Sequence, residues 1–161
     1  EAAQYGRIDS LQPPYSLFWR WVEKEAMSYC EENNISIIAY SSLAQGILTG
    51  KFGPEHKFEE GDHRAKSKLF LKENYARVQT ALTQLRPIAD RHQTTLGNLA
   101  LAWLIAQPQT NAIVGARNAE QATANAKAAE VKLSQEDLTE INAIGRTVTD
   151  SLDDNPVMWN F

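Results

Sequence analysis

Apolar positions along the chain change period several times, and the changes divide it into elements. Residues 8–12 (IDSLQ) read as a short strand, stopped by Pro13 and Pro14, which cannot donate to a sheet ladder. Across residues 23–33 the period becomes helical: Trp21, Val22, Ala26, Met27, Tyr29 and Cys30 recur near helix spacing. Asn33 or Asn34 suits the left-handed residue that closes such a helix. Residues 35–40 (ISIIAY) are β-branched and almost continuously apolar, as expected of a parallel strand buried on both faces.

From residue 41 to about 68 the pattern dissolves into charges and glycines at 46, 50, 53 and 61, too irregular for one element and too long for an ordinary connection. That segment is read as a functional loop. Helical period returns over 69–92, with Val78, Ala81, Leu82, Leu85, Ile88 and Ala89 on one face and Pro87 as a kink or break. Residues 96–107 (LGNLALAWLIAQ) are apolar nearly all round, which predicts a buried helix ending before Pro108. A third strand, 111–114 (NAIV), turns through GARN into a helix running to about residue 129. Asn118 with Gln121 has the spacing of a capping box, and Ser134 with Asp137 repeats it for a last helix through residue 146. At the other end, residues 1–6 (EAAQYG) resemble the last turns of a helix closed by a glycine cap; with Glu rather than Met at position 1, more sequence is expected upstream.

The order strand, helix, strand, helices, strand, helix, helix implies parallel strands joined by crossovers, an α/β fold. Three short parallel strands bury poorly alone, whereas an eight-stranded barrel of about 250 residues uses this many in its last third. The chain is therefore expected to be an open arc of such a barrel, one partial domain over residues 1–161, whose edges offer a route to self-association.

Composition narrows the partners. With 161 residues, 43% hydrophobic and 22% charged, the chain supports one sizeable core. A net charge of −4 argues against a nucleic-acid partner. The longest apolar run, residues 99–106, is too short to span a bilayer. The lone Cys30 rules out an internal disulfide and fits a reducing compartment, so the expected setting is cytoplasmic.

In an α/β barrel, ligands gather at the C-terminal ends of the strands, which points to Gln12 and Tyr15, residues 40–46, and residues 115–125. Free N–H groups at the helix start near Asn118, with Arg117, fit a phosphate; a plain capped helix has the same sequence. Gly46, Gly50 and Lys51 fit a pyrophosphate loop or a mere surface turn. Tyr40 offers a flat face to an aromatic ligand or serves as a barrel-end core residue, and Gln12 can pair with an amide or with nearby backbone. His56, His63 and His92 lack metal-ligand spacing, so no metal is expected, and His56 and His63 read as solvated. Cys30 lies beside Glu31 and Glu32, which disfavour a thiolate, and Trp19, Trp21, Trp103 and Trp159 read as packing residues.

Three motifs in order, LQPPYSLFWR, IIAYSSLAQGILTGKF and AIVGARNAEQATANAKA, with NLALAWLIAQP between the last two and the tail DNPVMWNF, resemble the aldo-keto reductase family over essentially the whole chain. The resemblance makes the strands the sixth to eighth of a TIM (β/α)8 barrel and implies an oxidoreductase that interconverts carbonyls and alcohols with NADP(H). It implies that Gln12 bonds the nicotinamide carboxamide and Tyr40 stacks on the ring. Ser41, Leu43, Gln45 and Gly46 would line the pyrophosphate with Lys51 nearby; Gly115, Ala116 and Arg117 would meet the 2′-phosphate; Gln121 and Asn125 would meet the adenosine end. Arg117 is the reason to expect NADP rather than NAD, since a guanidinium pairs strongly with phosphate. Ala124 departs from the acidic residue that many relatives carry before the asparagine. The family's catalytic Asp, Tyr, Lys and His come from the first four strands, so no catalytic residue is assigned in this chain, which is expected to be inactive alone. The alternatives are a regulatory interaction subunit, as in potassium-channel β subunits, and a half-barrel that assembles with a copy of itself.

Overall fold

The computed structural model describes residues 2–153, 155, 157 and 158. Its sheet has three parallel strands in the order β1 (Ser10–Leu11), β2 (Ser36–Ala39), β3 (Thr110–Ala112). Ser10 pairs with Ser36 and Leu11 with Ile37; on the other side Ile37, Ile38 and Ala39 pair with Thr110, Asn111 and Ala112. The strand order and parallel sense are those the sequence predicts, and each strand is shorter. Pro13 and Pro14 cut β1 off early, and in β2 only Ile37 and Ala39 are fully buried while Ser36 and Ile38 are half-buried.

The helix expected over 23–33 is two short helices, α1 (Val22–Glu25) and α2 (Met27–Glu32), interrupted at Ala26, whose φ of −118° leaves the helical range. Asn34 takes the left-handed conformation after α2, as the asparagine pair suggests. The expected glycine cap at Gly6 does not form: a single 3-10 turn, Ala2–Gln4, precedes it, and Gly6 lacks a positive φ.

α3 (Lys72–Arg91) runs through Pro87 without a break. Pro87 and Thr83 both lie on the exposed face, so the carbonyl that loses its partner, four residues before the proline, is left to water. α4 (Leu96–Ile105) starts at Thr95, whose side chain accepts from the N–H of Asn98, and is buried nearly all round, as its composition requires. It packs on β3 and α3, while α3 packs on α6 (Gln135–Thr149). α5 (Ala119–Ala126) follows β3 and passes into a 3-10 turn, Lys127–Glu130. α6 extends past Arg146 and approaches the segment after β1 so closely that a Cβ on Gly145 would stand 2.6 Å from Leu17 Cδ1 and 3.1 Å from its carbonyl oxygen.

At the start of α6 the capping box is complete. Ser134 Oγ accepts from the N–H of Asp137, and Asp137 Oδ2 accepts from that of Ser134. Asp137 also accepts from Arg91 at 2.7 Å and meets His92 Nε2 at 2.9 Å, tying the end of α3 to α6. The backbone hydrogen bond from Ser134, followed by Arg91 and His92, holds the Asp137 carboxyl well below the usual carboxylate range, against the opposing effect of burial. A depressed folded pKa gives stability that is present above the unfolded value near 4 and lost as pH falls. Asp137→Ala is therefore expected to cost about 1–3 kcal/mol at neutral pH, from a lost cap and lost charged contacts. Urea unfolding of both proteins should show that gap narrowing as the pH is brought down to about 2.5.

Candidate functional site

The C-terminal ends of the three strands are knitted together by backbone. The N–H of Tyr15 donates to Tyr40 O, that of Tyr40 to Pro13 O, and that of Ile113 to Ala39 O at 2.8 Å. Ser42 Oγ lies 2.7 Å from Ile113 O and 3.0 Å from Ala39 O, pinning the start of the loop after β2 to the end of β3.

Beyond Ser42 the loop coils into 3-10 geometry, Ala44–Thr49, with an unusual backbone. Ser41, Ala44 and Gln45 all take left-handed φ values of 46–59° without being glycine. Each such residue costs about 1 kcal/mol or more, and strain of this kind gathers where a loop must present its backbone in a fixed way. Gly46, at φ 89°, adds close approach: a Cβ there would meet Lys51 Cε at 3.1 Å and Nζ at 3.2 Å. The left-handed φ together with this crowding by Lys51 favours glycine at position 46. Gln45 Oε1 is buried without a hydrogen-bond partner.

This loop and the start of α5 enclose a cleft of about 740 Å³, a size that suits a cofactor or drug-sized ligand. Ser41, Leu43, Gln45, Gly46, Lys51, Gly115, Ala116, Arg117, Gln121 and Asn125 all line it, as do Ser42, Thr49 and Arg64. Gln12 and Tyr40 do not; both lie exposed at the adjoining strand ends, Tyr40 with 43% of its surface free. Two expected ligand contacts have other partners in this structure. Gln121 Oε1 accepts from the N–H of Arg117, and Asn125 Nδ2 donates to Gly115 O, so both side chains shape the 115–117 turn. The Asn118 box is accordingly half-formed: Asn118 accepts from the N–H of Gln121, but the return arm lands on Arg117.

Three cations, Lys51, Arg64 and Arg117, reach the cleft, and none of the described residues lining it is acidic. The Lys51 pKa is lowered, first by burial and then by the charges of Arg64 and Arg117. A local positive field of this kind, in a chain of net charge −4, is complementary to an anion.

Arg64 is the residue that motif reading missed. It enters through an aromatic cluster: its guanidinium lies 5.4 Å from the Phe52 ring and 4.9 Å from Phe58, and the Lys51 ammonium lies 4.7 Å from the same Phe52 ring. Phe70 meets both phenylalanines edge-on, and Tyr75 closes the group from α3. His56, expected to be merely solvated, packs tilted against Phe52 at 4.6 Å and edge-on against Phe58 at 4.7 Å, while the residue stays exposed. The recurrence of aromatic residues at 52, 58, 70 and 75 was the available signal that this long loop folds on itself.

Proton-transfer groups are scarce here. The one buried tyrosine near the strand ends, Tyr15, donates to Glu23 at 2.7 Å, and its pKa is raised by burial and by that carboxylate. A catalytic acid needs the opposite shift. Cys30 is likewise pushed up, by burial rather than by its acidic neighbours.

Residues 1–146 match the model of the aldo/keto reductase family. The chain belongs to that family. It is 37% identical over 140 residues to the NADH-specific methylglyoxal reductase of Escherichia coli (strain K12), an alignment covering 86% of this chain and 42% of the relative. It is 35% identical over 144 residues to the aldo-keto reductase yakc [NADP(+)] of Schizosaccharomyces pombe, covering 87% and 42%. Among solved structures, the glycerol dehydrogenase of Gluconobacter oxydans superposes with a TM-score of 0.82 at 28% identity, over 89% of this chain and 44% of that one. This aldo/keto reductase chain thus spans about two-fifths of the length of the curated relatives it matches. The names of those relatives carry both nicotinamide cofactors. The family match ends before the tail DNPVMWNF, in which Trp159 and Phe161 lie outside the described residues.

Proposed function

We propose that the cleft holds the phosphates of NADP(H), and that residues 1–161 form the cofactor-binding part of an aldo/keto reductase barrel, its sixth to eighth strands. The observation that carries this reading is the convergence of Lys51, Arg64 and Arg117 on a cleft without acidic lining among the described residues. When bound, the cofactor supplies hydride exchange with a carbonyl or alcohol. This chain's own residues bind and orient it. Lys51 and the strained turn at Ser41–Gly46 fit the pyrophosphate; Arg117 and the amides of 115–117 fit the phosphate on the adenosine ribose. Gln12 and Tyr40, exposed beside the cleft, suit the nicotinamide end, Tyr40 by stacking and Gln12 by an amide pair. The family resemblance assigns the proton donor for the carbonyl to the rest of the barrel, and the isolated chain is read as inactive. Its substrate is a small carbonyl or alcohol, and its setting cytoplasmic.

Arg117 decides between the two nicotinamide cofactors. Arg117→Ala is expected to weaken NADPH binding by about 10–100-fold, the worth of one charge-assisted contact, and to leave NADH within about threefold. Calorimetric titration with both nucleotides checks this. An equal loss for both would remove the case for NADP preference, and absence of binding by the unmodified chain would remove the site.

A further inference from the structure

Arg64 reaches the cleft with part of its charge already answered. Asp62 accepts from its Nε with both oxygens, at 2.9 and 3.1 Å, and also from Nη2. The same carboxylate accepts from the N–H of Arg64 and so caps the 3-10 turn His63–Lys66. The guanidinium has five donors; Asp62 takes its Nε–Nη2 edge. That edge presents two parallel N–H donors of the kind that pair bidentately with a phosphate.

Two features suggest that Asp62 restrains Arg64 rather than merely placing it. First, the guanidinium has an independent seat on Phe52 and Phe58, at 5.4 and 4.9 Å. Second, its hydrogen bonds from the Arg64 side chain and backbone hold the Asp62 carboxyl down to about 2, so it stays ionised at any ordinary assay pH. A phosphate on Arg64 therefore meets a fixed negative charge one guanidinium away, and at that range Coulomb repulsion is only partly screened.

We infer that Asp62 is an internal counter-anion that competes with a bound phosphate for Arg64 and so sets the affinity of the cleft for nucleotide phosphates. The inference rests on reading the cleft as the cofactor-phosphate site. It makes Asp62 a positioning and tuning residue: the loop over the cleft stays folded on Asp62 when no anion is bound, and Arg64 exchanges one carboxylate for a phosphate when the nucleotide arrives.

Asp62→Asn is the direct probe, because asparagine caps the turn as well as aspartate does while removing the charge. Asp62→Ser, a cap of similar quality, is the second variant. NADPH is titrated into the unmodified chain, both variants, Arg64→Ala, and Arg64→Ala combined with Asp62→Asn, at low and high salt, with far-UV circular dichroism confirming the fold. NADPH should bind about three- to tenfold tighter to both Asp62 variants at low salt, with the gain shrinking as salt screens the removed charge. In the Arg64→Ala background the gain should vanish, which is the coupling a double-mutant cycle reads. Unchanged or weaker binding in the folded Asp62 variants, or a gain that survives Arg64→Ala, overturns the role of Asp62 and leaves the cleft reading standing. No NADPH binding by the unmodified chain overturns both.

Discussion

Trp103→Ala is expected to cost about 3–5 kcal/mol, a large share of the roughly 5–15 kcal/mol that an ordinary domain has in total. Trp103 is fully buried on α4 and joins three parts of the molecule. Its ring meets Tyr15 edge-on at 5.7 Å, it lies under the Arg20 guanidinium at 4.9 Å, and its Nε1 donates to Asn142 Oδ1 on α6 at 3.0 Å. Truncation removes a large apolar surface, opens a cavity between α4 and α6, and leaves Asn142 without that donor. Trp103→Phe keeps most of the packing, so its cost should fall to about 1–2 kcal/mol, near that of one buried hydrogen bond plus a small void. Urea unfolding followed by circular dichroism measures both. Equal costs would mean that the Asn142 bond, not the packing, holds this junction.

The same residues show what the sequence made legible. NLALAWLIAQP announced a buried helix because no polar stripe interrupts it, and the apolar spacing of 78–89 gave α3 its inward face. Strand order and parallel sense followed from alternation of elements, and the AQGILTGK and GARN segments, far apart in sequence, do line one cleft. Local pattern could not show that Ser41, Ala44 and Gln45 adopt left-handed backbone. Nothing in their side chains favours it; the conformation is imposed by Ser42 reaching across to Ile113 and by Leu48 N–H turning back to Leu43 O. The break at Ala26 has no sequence marker either, since alanine is a strong helix former and only the surrounding packing sets its φ.

Arg64 stayed hidden for a different reason. Its neighbours in the chain are polar and its partners are aromatic rings placed by the fold, so charge counting along the loop gave it no special standing. Gln121 and Asn125 illustrate the reverse. Their motif positions are where a nucleotide-binding helix would have them, yet their side chains also have structural work in the 115–117 turn. A residue can hold the shape of a binding loop and still face the ligand, and hydrogen-bond partners alone do not separate the two roles.

Removing one half of the Arg20–Glu23 pair should rival the loss of Trp103. Arg20 is 8% exposed, its Nε and Nη2 are held by Glu23 at 2.7 and 3.0 Å, and its Nη1 is buried without a hydrogen-bond partner. Glu23→Ala would strand this guanidinium in a poorly solvated place beside Trp103 and take the acceptor from Tyr15 as well. A buried charge left alone in this way costs about 3–5 kcal/mol. The pair itself carries a large desolvation penalty, so replacing both members, Arg20→Met with Glu23→Leu, should recover part of that loss and leave a deficit of about 1–3 kcal/mol, the cost of the buried Tyr15 hydroxyl without its acceptor. Urea midpoints of the two singles and the double give the cycle; a double variant as unstable as Glu23→Ala would show that the charges, rather than the volume they fill, hold α1 against α4. The consequence reaches the cleft through backbone. Tyr15 donates to Tyr40 O, and Tyr40 in turn to Pro13 O, so loosening Tyr15 loosens the strand end from which Tyr40 and the strained turn at Ser41 are presented. Glu23→Ala should therefore weaken nucleotide binding even under conditions where the chain remains folded, whereas the double variant, which refills the space under Tyr15, should bind nearly as well as the unmodified chain.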